Sequence, residues 1–143
     1  MKLAFLKNAY DPYSLAIKLW TSSKYSHIEI IFGHDLWFSA SAPDGGTRFC
    51  VRSIQGEEWD YLDIPCSTKE ENICLDYALQ FDGARYDYKG IFAFLGHTIF
   101  RENPSKWFCS EIVGAILQQI GRCGTENPSK LTPKDIYRLT QAS

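Results

Sequence analysis

Between Trp107 and Ile120 the chain carries the feature that most narrows its fold. From Cys109 onward, apolar residues recur at positions 109, 112, 113, 116, 117 and 120. That spacing predicts an amphipathic α-helix buried along one side. Gly121 is a C-terminal stop. Asn103-Pro104-Ser105-Lys106 supplies turn chemistry ahead of the helix, so Cys109 falls in the first helical turn. Backbone N–H groups there lack intrahelical partners, and the helix dipole favours negative charge. A thiol so placed ionises more readily, and the thiolate is the nucleophile. A cysteine on an apolar helical face also serves as a small core residue, so Cys109 carries two readings at this point.

The rest of the chain sets bounds on both. Its 143 residues suit one domain with a single continuous core, residues 1–143. An apolar fraction of 45% and an aromatic fraction of 15% argue for a folded chain rather than a disordered one. A net charge of -2 with scattered lysines and arginines gives no support for nucleic-acid binding. Met1 to Lys7 has too short an apolar core for a signal peptide. No stretch approaches the roughly 20 apolar residues of a membrane helix, so no stable membrane insertion is expected. Cysteines at 50, 66, 74, 109 and 123 are odd in number and lack paired-motif spacing. Reduced thiols and a cytoplasmic location are therefore expected. With no Cys-x-x-Cys and no His-x-x-x-His, a metal site is not expected, and no cofactor is called for.

Read in order, residues 2 to 7 form a short buried strand. Asp11-Pro12 starts a helix that runs to about Trp20. Ser26 to Phe32 is a strand, and a turn at Gly33-His34-Asp35 leads into Leu36 to Ser41. Asp44-Gly45-Gly46 signals a second hairpin, followed by Thr47 to Val51 and a further strand from Glu58 to Ile64. This pattern predicts an antiparallel meander of about four or five strands. Ser67-Thr68-Lys69-Glu70-Glu71 holds two overlapping capping boxes and opens a helix that ends before Gly83. Ile91 to Leu95 is an apolar helix, the Cys109 helix follows, and Thr132-Pro133 caps a terminal helix. Strands first and helices after make the fold class α+β, an antiparallel sheet packed against helices with the Cys109 helix central.

A cysteine nucleophile needs a base, normally histidine, and the base needs an orienting partner. His34 sits in a hairpin turn, and His97 follows Gly96 at the end of an apolar helix, where capping explains it. His27 begins a strand, where a fixed ring could face a helix N-terminus. Its structural alternative is a hydrogen-bonded residue at a sheet edge.

Taken together, four segments resemble a circularly permuted NlpC-type cysteine peptidase, a family with a papain-like fold. His27-Ile28-Glu29-Ile30-Ile31-Phe32-Gly33 and Phe38-Ser39-Ala40-Ser41 come first. Gly83-Ala84-Arg85-Tyr86 and Phe108-Cys109-Ser110-Glu111 come second, the reverse of the usual order. That order is similar to the YiiX-like and lecithin:retinol acyltransferase-like branch. Together with Asp44-Gly45-Gly46-Thr47-Arg48-Phe49 it also resembles small phage-encoded members. The resemblance spans roughly residues 25 to 120, and no single motif in it is specific.

The resemblance implies Cys109 as nucleophile, His27 as base and Tyr86 beside the nucleophile. Tyr86 could equally be a buried aromatic with its hydroxyl satisfied. Ser39 stands where the family has its third polar residue, and a serine offers no charge to stabilise imidazolium. Glu29 shares the strand face of His27 and could orient it instead, or simply pair across strands with Arg48. The hairpin register bears on this choice. A three-residue loop at 33–35 pairs Phe32 with Leu36 and sets Glu29 opposite Ser39, whereas a two-residue loop turns Ser39 to the other face. The resemblance favours the first register, with Ser39 as the orienting residue and the thiol within about 4 Å of the imidazole. The implied activity is a thiol hydrolase cleaving an amide in a small peptide, with cell-wall material as one source. The alternatives are a thioesterase or acyltransferase on acyl substrates, and a binding module that keeps the fold without turnover.

Overall fold

In a computed structural model of the chain, residues 1–7, 14–15, 18–19, 22–41, 43–86 and 106–141 are described. Strands β1 (Lys2–Leu6), β2 (His27–Phe32), β3 (Leu36–Ser41), β4 (Gly46–Val51) and β5 (Trp59–Asp63) form an antiparallel sheet. Two short strands, β6 (Arg85–Tyr86) and β7 (Lys106–Trp107), extend it beyond β4. The order is β5-β1-β2-β3-β4-β6-β7. The expected meander thus holds for β2-β3-β4, while β1 inserts between β2 and β5. The reason is visible in the residues: β1 is apolar and buried across Leu3, Ala4 and Phe5, which suits a strand paired on both edges.

Helix α1 (Thr68–Leu79) opens with one of the two possible capping boxes. Ser67 accepts from the Glu70 N–H at 3.2 Å, and Glu70 returns the bond to the Ser67 N–H at 2.7 Å. Helix α2 (Cys109–Gln118) is followed by a 3₁₀ turn (Pro128–Lys130) and helix α3 (Pro133–Gln141). Thr132 and Asp135 cap α3 reciprocally. The α+β class is as expected. Of the helix expected over 11–20, only residues 14, 15, 18 and 19 are described, and they are helical. The helix expected at 91–95, and His97 with it, lie outside the described residues.

Alternation divides the sheet into two faces. Leu3, Phe5, Ile28, Ile30, Phe32, Phe38 and Ala40 turn inward onto α2, α1 and α3. Ala4, Ile31 and Trp37 turn outward with Trp59 and Tyr61. Helix α2 departs from the expected stripe. Every residue from Cys109 to Leu117 is buried, including Ser110, Glu111, Gly114 and Ala115. The helix lies between the sheet on one side and α1, α3 and the 3₁₀ turn on the other, so its polar flank meets protein as well. A Cβ on Gly114 would stand 3.0 Å from Leu131 Cδ1, so glycine there admits this second layer. Gly121 (φ +72°) ends the helix as expected, with the Arg122 N–H closing onto the Leu117 carbonyl.

Candidate active site

Topology brings the chemistry to one end of the sheet. His27 begins β2, Ser41 ends β3, and Gly46, which begins β4, pairs with both Ser41 and Arg85. Arg85 in turn pairs with Lys106. Strand β7 therefore leaves the sheet at the end where β2 starts. Phe108 turns the chain, and α2 runs back against β2 and β3 with Cys109 as its first residue. Phe108 is an extended N-cap with no side-chain cap bond, so the backbone donors of the first turn are not claimed by a capping side chain.

The Cys109 side chain stands beside the His27 ring, near enough to act on its titration. Cys109 is 6% exposed. The imidazole belongs to the outward face, where Nε2 stands 3.3 Å from Glu29 Oε1 and Trp59 meets it edge-on at 6.2 Å between centroids. Burial alone would favour the neutral ring. The Cys109 side chain and then the Glu29 carboxylate outweigh that and hold the His27 pKa well above its ordinary value, at about 10.

Glu29 is the charge hub of the site and is only 2% exposed. Arg48 grips it at two points, Nη1 to Oε2 at 2.9 Å and Nη2 to Oε1 at 3.0 Å, the bidentate geometry that suits a guanidinium to a carboxylate. Arg52 adds a contact at 3.4 Å and stacks over Trp37, 3.9 Å from the ring centroid. Arg48 Nε also donates to Asp44 at 2.9 Å. Burial would raise the Glu29 pKa, but His27 and Arg48 pull it down to about 2. Asp44, Arg48, Glu29, His27 and Cys109 thus form one connected chain of charged and ionisable groups.

The β2–β3 register is the expected one, with Phe32 opposite Leu36 and Ile30 opposite Phe38. Continued one pair further it sets Glu29 across from Ser39, and Ser39 pairs with Arg48. The side chain the structure sets against His27 is nonetheless not the expected Ser39. The Ser39 hydroxyl donates to the Ile28 carbonyl at 2.6 Å, and the group set against the imidazole is Glu29. The physical reason is length. Serine is too short to compete, and its small side chain lets the Arg48 guanidinium reach across it to Glu29. The two roles weighed for Glu29, imidazole partner and cross-strand mate of Arg48, are therefore held at once. Tyr86 has its backbone in β6 beside Trp107, and its side chain lies outside the described residues. His34 is exposed in the hairpin turn.

Sequence reasoning missed Arg52 and Trp59. Arg52 follows the last residue of β4, and nothing in the spacing announces that its side chain folds back over Trp37 to reach Glu29. Asp44 registers in the sequence only as a turn residue. None of the five cysteines is paired in a disulfide. Among the described residues, no group of three or more His, Cys, Asp or Glu side chains could hold a metal ion. Among them, too, no helix is long and apolar enough to cross a membrane. Comparison with protein-family models gives no match, and comparison with curated proteins gives none either.

Proposed function

We propose that the protein is a cysteine hydrolase of the permuted NlpC-type, papain-like kind, cleaving an amide bond in a small peptide within the cytoplasm. One observation carries this reading: a thiol in the first turn of a buried helix stands beside an imidazole whose Nε2 meets a buried, arginine-held carboxylate. A nucleophile, a base and an orienting group are thereby set side by side. Five unpaired thiols suit a reducing compartment.

In the proposed reaction the Cys109 thiolate attacks the carbonyl carbon, forming a C–S bond. The carbonyl oxygen takes up the electron pair as an oxyanion, and the backbone N–H of Cys109 supplies a donor for it. His27, carrying the thiol proton, delivers it to the amine as the C–N bond breaks. Water then attacks the thioester, His27 accepts its proton, and the acid product leaves as the thiolate is restored. Glu29 fixes the ring and balances its positive charge throughout.

The test is iodoacetamide labelling from about pH 5 to about pH 9, with the modified cysteine located by peptide mass. The expected result is selective labelling of Cys109 at the acid end, abolished in His27→Ala. A parallel panel of peptide, ester and thioester substrates should show amide turnover that disappears in Cys109→Ser. Equal, base-dependent labelling of Cys109 and the half-buried Cys50 and Cys66 would remove this reading, leaving Cys109 as a core thiol.

A further inference from the structure

The charged chain behind His27 ends in a residue that touches neither the thiol nor the imidazole. Arg48 holds Glu29 at two points and is itself held by Asp44 on the β3–β4 turn. We propose that Arg48 is a positioning residue for the thiol centre: its two-point grip keeps the Glu29 carboxylate ionised and aimed at the His27 ring. This rests on the reading of Cys109 and His27 as a nucleophile and base.

Three features of the geometry support it. First, Glu29 is almost fully enclosed, and an enclosed carboxylate takes up a proton unless opposite charge and hydrogen bonds hold it ionised. Second, both of its oxygens are occupied by Arg48, so the carboxylate plane is fixed, and only Oε1 is shared with His27 and Arg52. A carboxylate with one oxygen free could rotate away from the ring. Third, Ser39 between β2 and β4 is small, buried and turned to the Ile28 carbonyl, so the guanidinium has an open route across the face. The groups that face this centre are Cys109 from α2, His27 and Glu29 on β2, Arg48 and Cys50 on β4, Arg52 just after β4 and Asp44 on the turn. From β1, Ala4 stands opposite Glu29 and brings no charge.

The sign of the effect follows from these groups. A Glu29 that loses the grip takes a proton at higher pH, and a neutral Glu29 stabilises imidazolium less. Loss of the positive charge also disfavours the thiolate. Both changes move the acid limb of thiol reactivity upward.

The experiment measures the pH dependence of Cys109 alkylation by iodoacetamide in the full chain, in the wild type, Arg48→Lys, Arg48→Gln and Asp44→Asn. Arg48→Gln should move the acid limb up by about one pH unit or more. Arg48→Lys keeps the charge without the fork and should move it by at least half as much, which keeps the test alive should Arg48→Gln fail to fold. Asp44→Asn, acting on the far side of the guanidinium, leaves both contacts of Arg48 with Glu29 in place and should shift the limb by less than Arg48→Lys does. If the wild type labels selectively at low pH and Arg48→Lys reproduces its profile, the grip is not what positions Glu29 and the proposal falls while the thiol centre stands. If the wild type shows no selective labelling, the thiol centre itself falls, and this proposal with it.

Discussion

The Ser39 hydroxyl donates to the Ile28 carbonyl at 2.6 Å, across the strand pair from the residue that meets His27. Ser39 and Glu29 share a face, and the shorter of the two is tied to the backbone while the longer reaches the imidazole. A neutral hydroxyl and a buried carboxylate make opposite demands on the base. The hydroxyl could hold the ring without stabilising its charge, whereas the carboxylate does both.

The two substitutions should therefore separate cleanly. Ser39→Ala removes a buried hydrogen bond and leaves the Ile28 carbonyl without it, at a cost of about 1–3 kcal/mol in stability. It should leave the pH profile of Cys109 labelling where it was. Glu29→Gln takes the charge from two guanidinium groups that share its carboxylate, at a cost below the about 3–5 kcal/mol of breaking a fully buried pair, because the Arg48 and Arg52 side chains keep 22% and 42% exposure. It should also move the acid limb of Cys109 labelling upward. Urea midpoints and labelling rates on both variants check the pair of outcomes. A Ser39→Ala profile shifted as far as that of Glu29→Gln would return the orienting role to Ser39.

Stability should depend on pH through the same residues, with opposite signs at the two ends of the scale. The Glu29 pKa falls from an ordinary 4.5 to about 2 on folding. Its contribution is present above the unfolded value and is lost as the pH drops from about 4.5 toward 2. The His27 pKa rises above an ordinary 6.5 on folding. Its contribution is complete below that value and is lost as the pH climbs through the raised one. Denaturation midpoints should fall at both extremes in the wild type. The acid fall should be shallower in Glu29→Gln and the alkaline fall shallower in His27→Gln. Asp60 also titrates in the acid range, held low chiefly by Lys24 and Lys7, so the comparison is between variant and wild type rather than within one curve. Identical acid slopes for Glu29→Gln and the wild type would show that Glu29 is not ionised through that window.

The sequence makes the frame of this site legible and leaves its charge network hidden. Helix α2, its stop at Gly121, the Ser67–Glu70 cap and the Phe32–Leu36 pairing all follow from local rules of periodicity, turn length and capping. The full burial of α2 does not follow, because it depends on how later elements stack over Ser110, Glu111 and Gly114. The placement of β1 between β2 and β5 is a long-range pairing, which alternation within one strand cannot specify. The choice of Glu29 over Ser39 needs side-chain lengths across three strands. The Arg52 contact needs a side chain that leaves its own strand end. Residues on one strand face are readable as neighbours, but which of them wins a shared partner is decided by reach and burial.

Ile116 and Cys109 should respond differently within a single helix. Ile116 is fully buried and packs in the cluster that joins the sheet to α1, α2 and α3. Ile116→Ala removes several buried carbons where the surroundings are held by β2, β3 and α1. The loss should be about 2–5 kcal/mol, set by how far the site can collapse. Cys109 begins the same helix and belongs to the same buried cluster, where it stands beside His27. Cys109→Ser is nearly isosteric and leaves a polar atom against the imidazole. It should cost less than Ile116→Ala, since it leaves no cavity, while ending thiol labelling and turnover together. Urea denaturation of both variants, read alongside the substrate panel, makes the comparison. If Cys109→Ser destabilised the fold as much as Ile116→Ala, with no turnover in the wild type to lose, Cys109 would be a packing residue like its neighbours on the helix.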